Sequence, residues 1–331
     1  VTDKALVRAL VEAWGPSGYE DHVRALIRGY VEPLADEIRV DGAGNLICRM
    51  GKGGKKILIA AHMDEIGIVI THIDKDGYGR FTGIGELLPA TLLGNRVRFE
   101  NGTIGVIGLE GTFDISKQPK SLNEFFIDFS DGGASRIRVG DVAALTRGME
   151  ERGTRLIAKS MDDRIGCVVA IEAMRALKGV QTGNELYFVF TTQEEVGIRG
   201  AKAAAFGLSP DYGIALDVTL AMDTPKNGAN AVKLGAGAAV KIFDVGHIVP
   251  PVIKDWVLNT AEAHGIPHQL EILTAGTTDA AAIQQTAAGI PSATLSIPTR
   301  FVHTTSETVD VNDVDACVKL LVALIERPVD M

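Results

Sequence analysis

Near the amino terminus, apolar positions recur every three to four residues, and this period predicts a helix over residues 3–14 that ends at "GPSGYE". A second helix is expected from about Glu20 to Val31, stopped near Pro33. The rhythm then changes. "KKILIAAHMDEIGIVI" contains an unbroken apolar run, Ile57 to Ala61, of the kind a strand buried on both faces needs, and polarity begins abruptly at His62. Between residues 67 and 150 the pattern changes again. Short β-branched runs ("RVRFE", "TIGVIGLEG", "RIRVGDVAAL") are separated by the turn pairs Asp76-Gly77, Asn101-Gly102 and Asp131-Gly132. Helix-and-strand alternation then resumes. A helix is expected over residues 163–177, strands over 186–190, 213–216 and 293–297, and helices near 199–206, 251–264, 279–288 and 311–326.

This ordering predicts one α/β domain built from residues 1–66 and 151–331, interrupted by an all-β insertion over residues 67–150. Composition fits a turn-rich globular chain: 331 residues, 46% hydrophobic, 23% charged, with 37 glycines. A net charge of −9, from 33 basic and 42 acidic residues, argues against a phosphate-backbone binder, so nucleic acid is not an expected partner. The chain has no run of eighteen apolar residues, and "VTDKALVRAL" mixes acidic and basic residues unlike a signal peptide. No membrane partner and a cytoplasmic location are expected. Cys48, Cys167 and Cys317 are far apart in aliphatic surroundings and read as small buried hydrophobes.

The polar residues that matter follow the predicted strands. His62 and Asp64 come after Ile57–Ala61, Glu194 and Glu195 after Leu186–Phe190, Asp217 after "YGIAL", and His303 shortly after "ATLSI". The carboxyl ends of a parallel sheet share one edge, where ligands bind, so these groups can meet. Asp162 and Asp163 open the helix after the insertion and join them. Singly, each residue has an ordinary structural reading as a helix cap or a solvated loop acid. Together, so many carboxylates at one edge would repel one another unless cations neutralise them. Imidazole nitrogen and carboxylate oxygen suit zinc, cobalt or manganese. The adjacent Glu194 and Glu195 suggest a division of labour, one ligating metal and the other accepting a proton from water.

At these residues the chain resembles the TET / glutamyl-aminopeptidase family of metallopeptidases, some relatives of which are labelled endoglucanase-M-like. The resemblance is carried by "AAHMDEIG", "KSMDDRIGC", "TTQEEVGIRGA", "ALDVT", "GTTDAAAI" and "GIPSATLSIPTRFVHTTSE", which run in family order through nearly the whole chain. It implies a three-layer α/β/α zinc-peptidase-like catalytic domain with an inserted barrel-like dimerisation domain. Two divalent ions per chain are implied, zinc or cobalt first and manganese after them. Asp162 would bridge them, His62 and Asp217 would complete one site, and Glu195 and His303 the other. The family pattern makes Glu194 the general base and Asp64 the group that orients His62. Asp163 and Arg164 would support the site, while Thr278 and Asp279 would help hold the substrate or the cleft wall. A homo-oligomer built on dimers, up to a dodecamer, is implied as well. One departure is that relatives often carry proline two positions after the last histidine, where this chain has Thr305.

The expected activity is removal of the amino-terminal residue of peptides. Two other readings compete. A glycoside hydrolase would need two carboxylates flanking a glycosidic bond and no metal pair, whereas here the acids cluster with histidines. An inactive scaffold would be expected to have lost ligands, and none of the five is missing.

Overall fold

The computed structural model describes residues 2–111, 118–129, 132–226 and 232–329. The apolar run of residues 57–61 lies inside strand Lys56–His62, whose alternate side chains enter different cores. Ile57, Ile59 and Ala61 pack toward helices Met161–Leu177 and Val311–Glu326, while Leu58 and Ala60 pack with Ala201, Ala204 and Ala205 of helix Arg199–Leu208. A run apolar at every position is what a strand sandwiched between two helical layers requires. The result is the three-layer α/β/α arrangement.

Four parallel strands form the centre of an eleven-stranded sheet, in the order Glu185–Thr191, Lys56–His62, Tyr212–Leu220 and Ser292–Arg300. Their register pairs Thr191 with His62 and Asp217 with Ser296, so their carboxyl ends emerge on one edge. The flanks are antiparallel. Leu46–Met50 and Glu37–Val40 extend one side, and Glu307–Asp310, Arg155–Ala158 and Glu150–Arg152 extend the other. Ala238–Phe243 pairs antiparallel with Ser292–Arg300 and carries His268–Ile272 alongside it. These flanking strands depart from the simple helix-and-strand alternation expected, and two of them stand between the second helix and strand Lys56–His62. The helix expected over residues 279–288 ends earlier, as Asp279–Gln284.

From Gly67 to Leu145, six strands close into a barrel, in the order Gly67–Ile73, Gly79–Ile84, Phe125–Asp128, Ile104–Leu109, Arg96–Phe99 and Val142–Leu145. Ile68, Phe81, Val97, Phe99, Ile107, Phe125 and Ile127 fill it. Of "RIRVGDVAAL" only Val142–Leu145 is a strand, and Gly133–Arg136 is a single 3-10 turn. Asp131 of the third expected turn pair lies outside the described residues. Among the described residues, the strands in "RVRFE" and "TIGVIGLEG" find their partners within the barrel, and its closure leaves no open edge.

Candidate metal centre

Each functional side chain is held by an element that ends at the sheet edge. His62 is the last residue of its strand, and its ring is buried. Its Nε2 lies 3.0 Å from Asp162 Oδ1 and 4.0 Å from Asp217 Oδ1. The other Asp162 oxygen, Oδ2, lies 3.4 Å from His303 Nε2, which is 3.2 Å from Glu195 Oε2. One carboxylate thus faces both imidazoles, with Asp217 on one side and Glu195 on the other. Left-handed, non-glycine backbone borders this set at Ser160 (φ 56°), Gln193 (φ 55°) and His303 itself (φ 63°). Such conformations cost about 1–3 kcal/mol each and persist where the surroundings fix them.

A second set of acids holds these groups in place. Asp64 Oδ1 lies 3.5 Å from His62 Nδ1 and accepts the Glu194 N–H, while its Oδ2 accepts the Glu195 N–H and the Ser17 hydroxyl. One carboxylate therefore orients the ring and pins both glutamates, as ligating histidines generally require. Glu20 accepts the Gln193 N–H just upstream. Asp163 Oδ2 accepts the His62 N–H and its Oδ1 the Gly166 N–H, where an added Cβ would stand 2.3 Å from that oxygen. Glu307 accepts the Asp162 N–H on one oxygen and the His303 N–H on the other. Below the site, buried Glu65 is paired with Lys159 and lies 3.6 Å from Arg164. Glu20, Glu65 and Glu307 were not singled out in the sequence. Glu65 and Glu307 stand inside the motif stretches "AAHMDEIG" and "RFVHTTSE", and that placement is the one signal pointing to them.

Crowding like charges in a dry site perturbs them strongly. Burial, followed by the neighbouring carboxylates, pushes Asp163, Glu194 and Asp217 well above the ordinary carboxylate range and raises Glu195. Burial likewise raises Glu307 to about 8 and Asp279 to about 6. Burial should lower the histidines, but facing carboxylates more than reverse it. His62 is held well above its usual value by Asp162 and Asp64, and His303 is pushed up to about 12 by Asp162 and Glu195. Against its own burial, Asp162 is held down by both imidazoles.

Divalent cations fit this arrangement. Glu195 Oε1 is buried without a hydrogen-bond partner. Two overlapping groups, His62–Asp162–Glu195 and His62–Asp163–Asp217, bring their ligand atoms within 4.8 Å of one another. The donors are hard oxygens and borderline nitrogens, the set that zinc, cobalt and manganese share. Asp163 is the weaker ligand, because both its oxygens already accept backbone N–H groups.

A cavity of about 470 Å³ opens beside these groups. Thr278 lines it, its hydroxyl also capping helix Asp279–Gln284. Asp279 is buried behind the wall, accepting the Thr191 hydroxyl at 2.6 Å. Glu86 and Leu88 of the barrel also line the cavity, and Gly85 packs so close to Glu195 that an added Cβ would lie 3.2 Å from its Oε2. The insertion therefore contributes a wall to the site.

The model of the M42 glutamyl aminopeptidase family matches residues 44–320. A putative aminopeptidase of Acetivibrio thermocellus is 43% identical over 317 residues, covering 94% of each chain. Among solved structures, aminopeptidase APDkam598 from the archaeon Desulfurococcus kamchatkensis superposes with a TM-score of 0.93 at 38% identity, covering 98% of this chain and 94% of that one. The TET1 peptidase of Pyrococcus horikoshii, described as able to assemble into a tetrahedron or a large octahedral shell, gives a TM-score of 0.86 at 32% identity, with 97% and 98% covered.

Proposed function

Because the chain belongs to the M42 glutamyl aminopeptidase family and is a peptidase hydrolase, we propose that it removes amino-terminal residues from peptides with two divalent ions and Glu194 as general base. The observation that carries this reading is Asp162, whose two oxygens face His62 and His303 separately. Asp162, His62 and Asp217 would hold one ion, and Asp162, Glu195 and His303 the other. Bound there, zinc, cobalt or manganese would supply Lewis acidity toward water and the scissile carbonyl.

The protein's own groups do the rest. Glu194 lines the cavity, where it would take a proton from water and return it to the leaving amine. Asp64 fixes the direction in which Glu194 and Glu195 point by holding both backbone N–H groups. The acidic edge would receive the free amine of the substrate, and Thr278 would contact the bound peptide from the wall. Residues 1–66 and 151–331 would constitute the catalytic domain, and residues 67–150 the insertion through which chains dimerise. Val139, Ile104, Leu93 and Val106 are exposed on that insertion, a surface that association would cover. Dimers would assemble further into a dodecamer, with peptides admitted and folded proteins excluded.

Metal-stripped protein assayed on aminoacyl-p-nitroanilides with zinc, cobalt or manganese added back tests the chemistry. Activity should be absent without metal and return with it, near two ions per chain. Full activity after stripping would overturn the proposal.

A further inference from the structure

Just past strand Glu185–Thr191, three consecutive backbone N–H groups donate to carboxylates brought from elsewhere in the chain. Those of Glu194 and Glu195 go to Asp64, at 3.1 and 3.3 Å, and that of Gln193 goes to Glu20 Oε1 at 3.1 Å. The same Glu20 oxygen accepts the Gly18 N–H at 2.7 Å. Glu20 stands at the N-cap of helix Asp21–Val31, where an acid ordinarily bonds the first turn of its own helix, yet its side chain makes no such bond. It is buried and turned across to Gln193 instead.

Gln193 is left-handed (φ 55°), a conformation that a residue bearing a Cβ resists. It is held from both sides, its N–H by Glu20 and its carbonyl by the Arg199 N–H at 3.2 Å. Its torsions set the direction in which the chain enters Glu194. The two glutamates that follow differ in what else restrains them. The Glu195 carboxylate lies 3.2 Å from His303 Nε2, whereas among the described residues no hydrogen bond reaches the Glu194 carboxylate.

Resting on the aminopeptidase reading, we infer that Glu20 is a positioning residue for the reaction: by holding Gln193 in its left-handed conformation it aims the Glu194 carboxylate, and it takes no part in holding either ion. With that acceptor removed, less offsets the cost of the left-handed backbone, and a change in the torsions of Gln193 swings Glu194 first. Glu195 is restrained by its own carboxylate and moves less.

The test compares Glu20→Ala and Glu20→Gln with wild type, all metal-loaded, on the aminoacyl-p-nitroanilide that wild type cleaves best, with the ions per chain counted beside the assay. Glu20→Ala should lower kcat roughly 10–100-fold while KM and the ion count stay as in wild type, because misplacing a reacting group slows the chemistry without weakening binding. Glu20→Gln keeps an acceptor oxygen and should recover most of kcat. Replacing the Gln193 amide by a backbone ester deletes the N–H and leaves Glu20 in place. That enzyme should slow as Glu20→Ala does, and it decides the matter even if Glu20→Ala folds poorly. Unchanged kcat in the ester enzyme overturns the positioning role, and so does loss of ions in step with kcat. Glu20→Gln as slow as Glu20→Ala overturns it too, since charge rather than the hydrogen bond would then be at work. If wild type cleaves no member of an aminoacyl-p-nitroanilide panel, the aminopeptidase reading falls, and this inference with it.

Discussion

The barrel and the sheet edge solve opposite problems. Within residues 67–150, Thr103 is the only buried polar side chain among the described residues, and the interior is Ile, Val, Leu, Phe and Ala. At the sheet edge, His62, Asp64, Glu65, Asp162, Asp163, Asp217 and Glu307 are all buried, several with carboxyl groups driven out of their ordinary range. A core needs only shape and apolar surface, so many sequences can fill the barrel. The edge concentrates charge that destabilises the chain unless something neutralises it, and such charge persists where chemistry uses it. The same contrast separates what each region should lose on mutation.

The largest effect is expected at the residue both histidines share. Asp162→Asn should abolish binding of both ions and lower kcat/KM by roughly 10⁴-fold or more, read by elemental analysis beside the assay. Retention of two ions per chain would break the bridging role. Asp64→Asn should act less severely, since it touches the site only through His62 and two backbone N–H groups. A loss of roughly 10–100-fold in activity or metal affinity is expected.

The charged edge should also make stability depend on pH in a way the barrel cannot. Asp163, Glu194 and Asp217 have raised values in the metal-free fold, so the stability they contribute is complete below about 4 and is lost as pH rises. His62 and His303 are raised too, and their contribution is complete below about 6.5 and falls above it. Metal-stripped protein should therefore melt lower at pH 8 than at pH 5. Added metal should oppose that loss, because ligation needs the deprotonated groups, and the gap in Tm between loaded and stripped protein should widen with pH. A gap constant across this range would contradict the ligand assignment.

The barrel should show the reverse behaviour. Ile127→Ala in its core should cost about 2–5 kcal/mol of stability, measured by denaturant unfolding, with turnover per folded chain unchanged. A loss of turnover without loss of stability would mean the insertion reaches the chemistry through more than Gly85, Glu86 and Leu88.

The legibility of the sequence followed the same division. The central strands were readable because a strand covered on both faces must be apolar at every position, and the residues after it stand out by turning polar at once. The marginal strands carried no such signal. "EIRV" at 37–40 is largely exposed, and "AAVKIF" at 238–243 hides a buried lysine paired with Asp244, three residues on, and with Glu271 of strand His268–Ile272. Among the acids, those beside a strand end could be found by position. Glu307 could not, because its role exists only where its two oxygens reach the N–H groups of Asp162 and His303. In the barrel, the turn pairs and β-branched runs announced strands, but closure depends on pairings far apart in sequence.

The division of labour between the two adjacent glutamates is the most direct test of the site. Elemental analysis and turnover should be measured together on Glu194→Gln and Glu195→Gln. Glu194→Gln should keep two ions per chain while turnover falls by roughly 10²–10⁴-fold, since only proton transfer is removed, and Glu195→Gln should lose metal. Metal lost from Glu194→Gln and kept by Glu195→Gln would contradict the assignment.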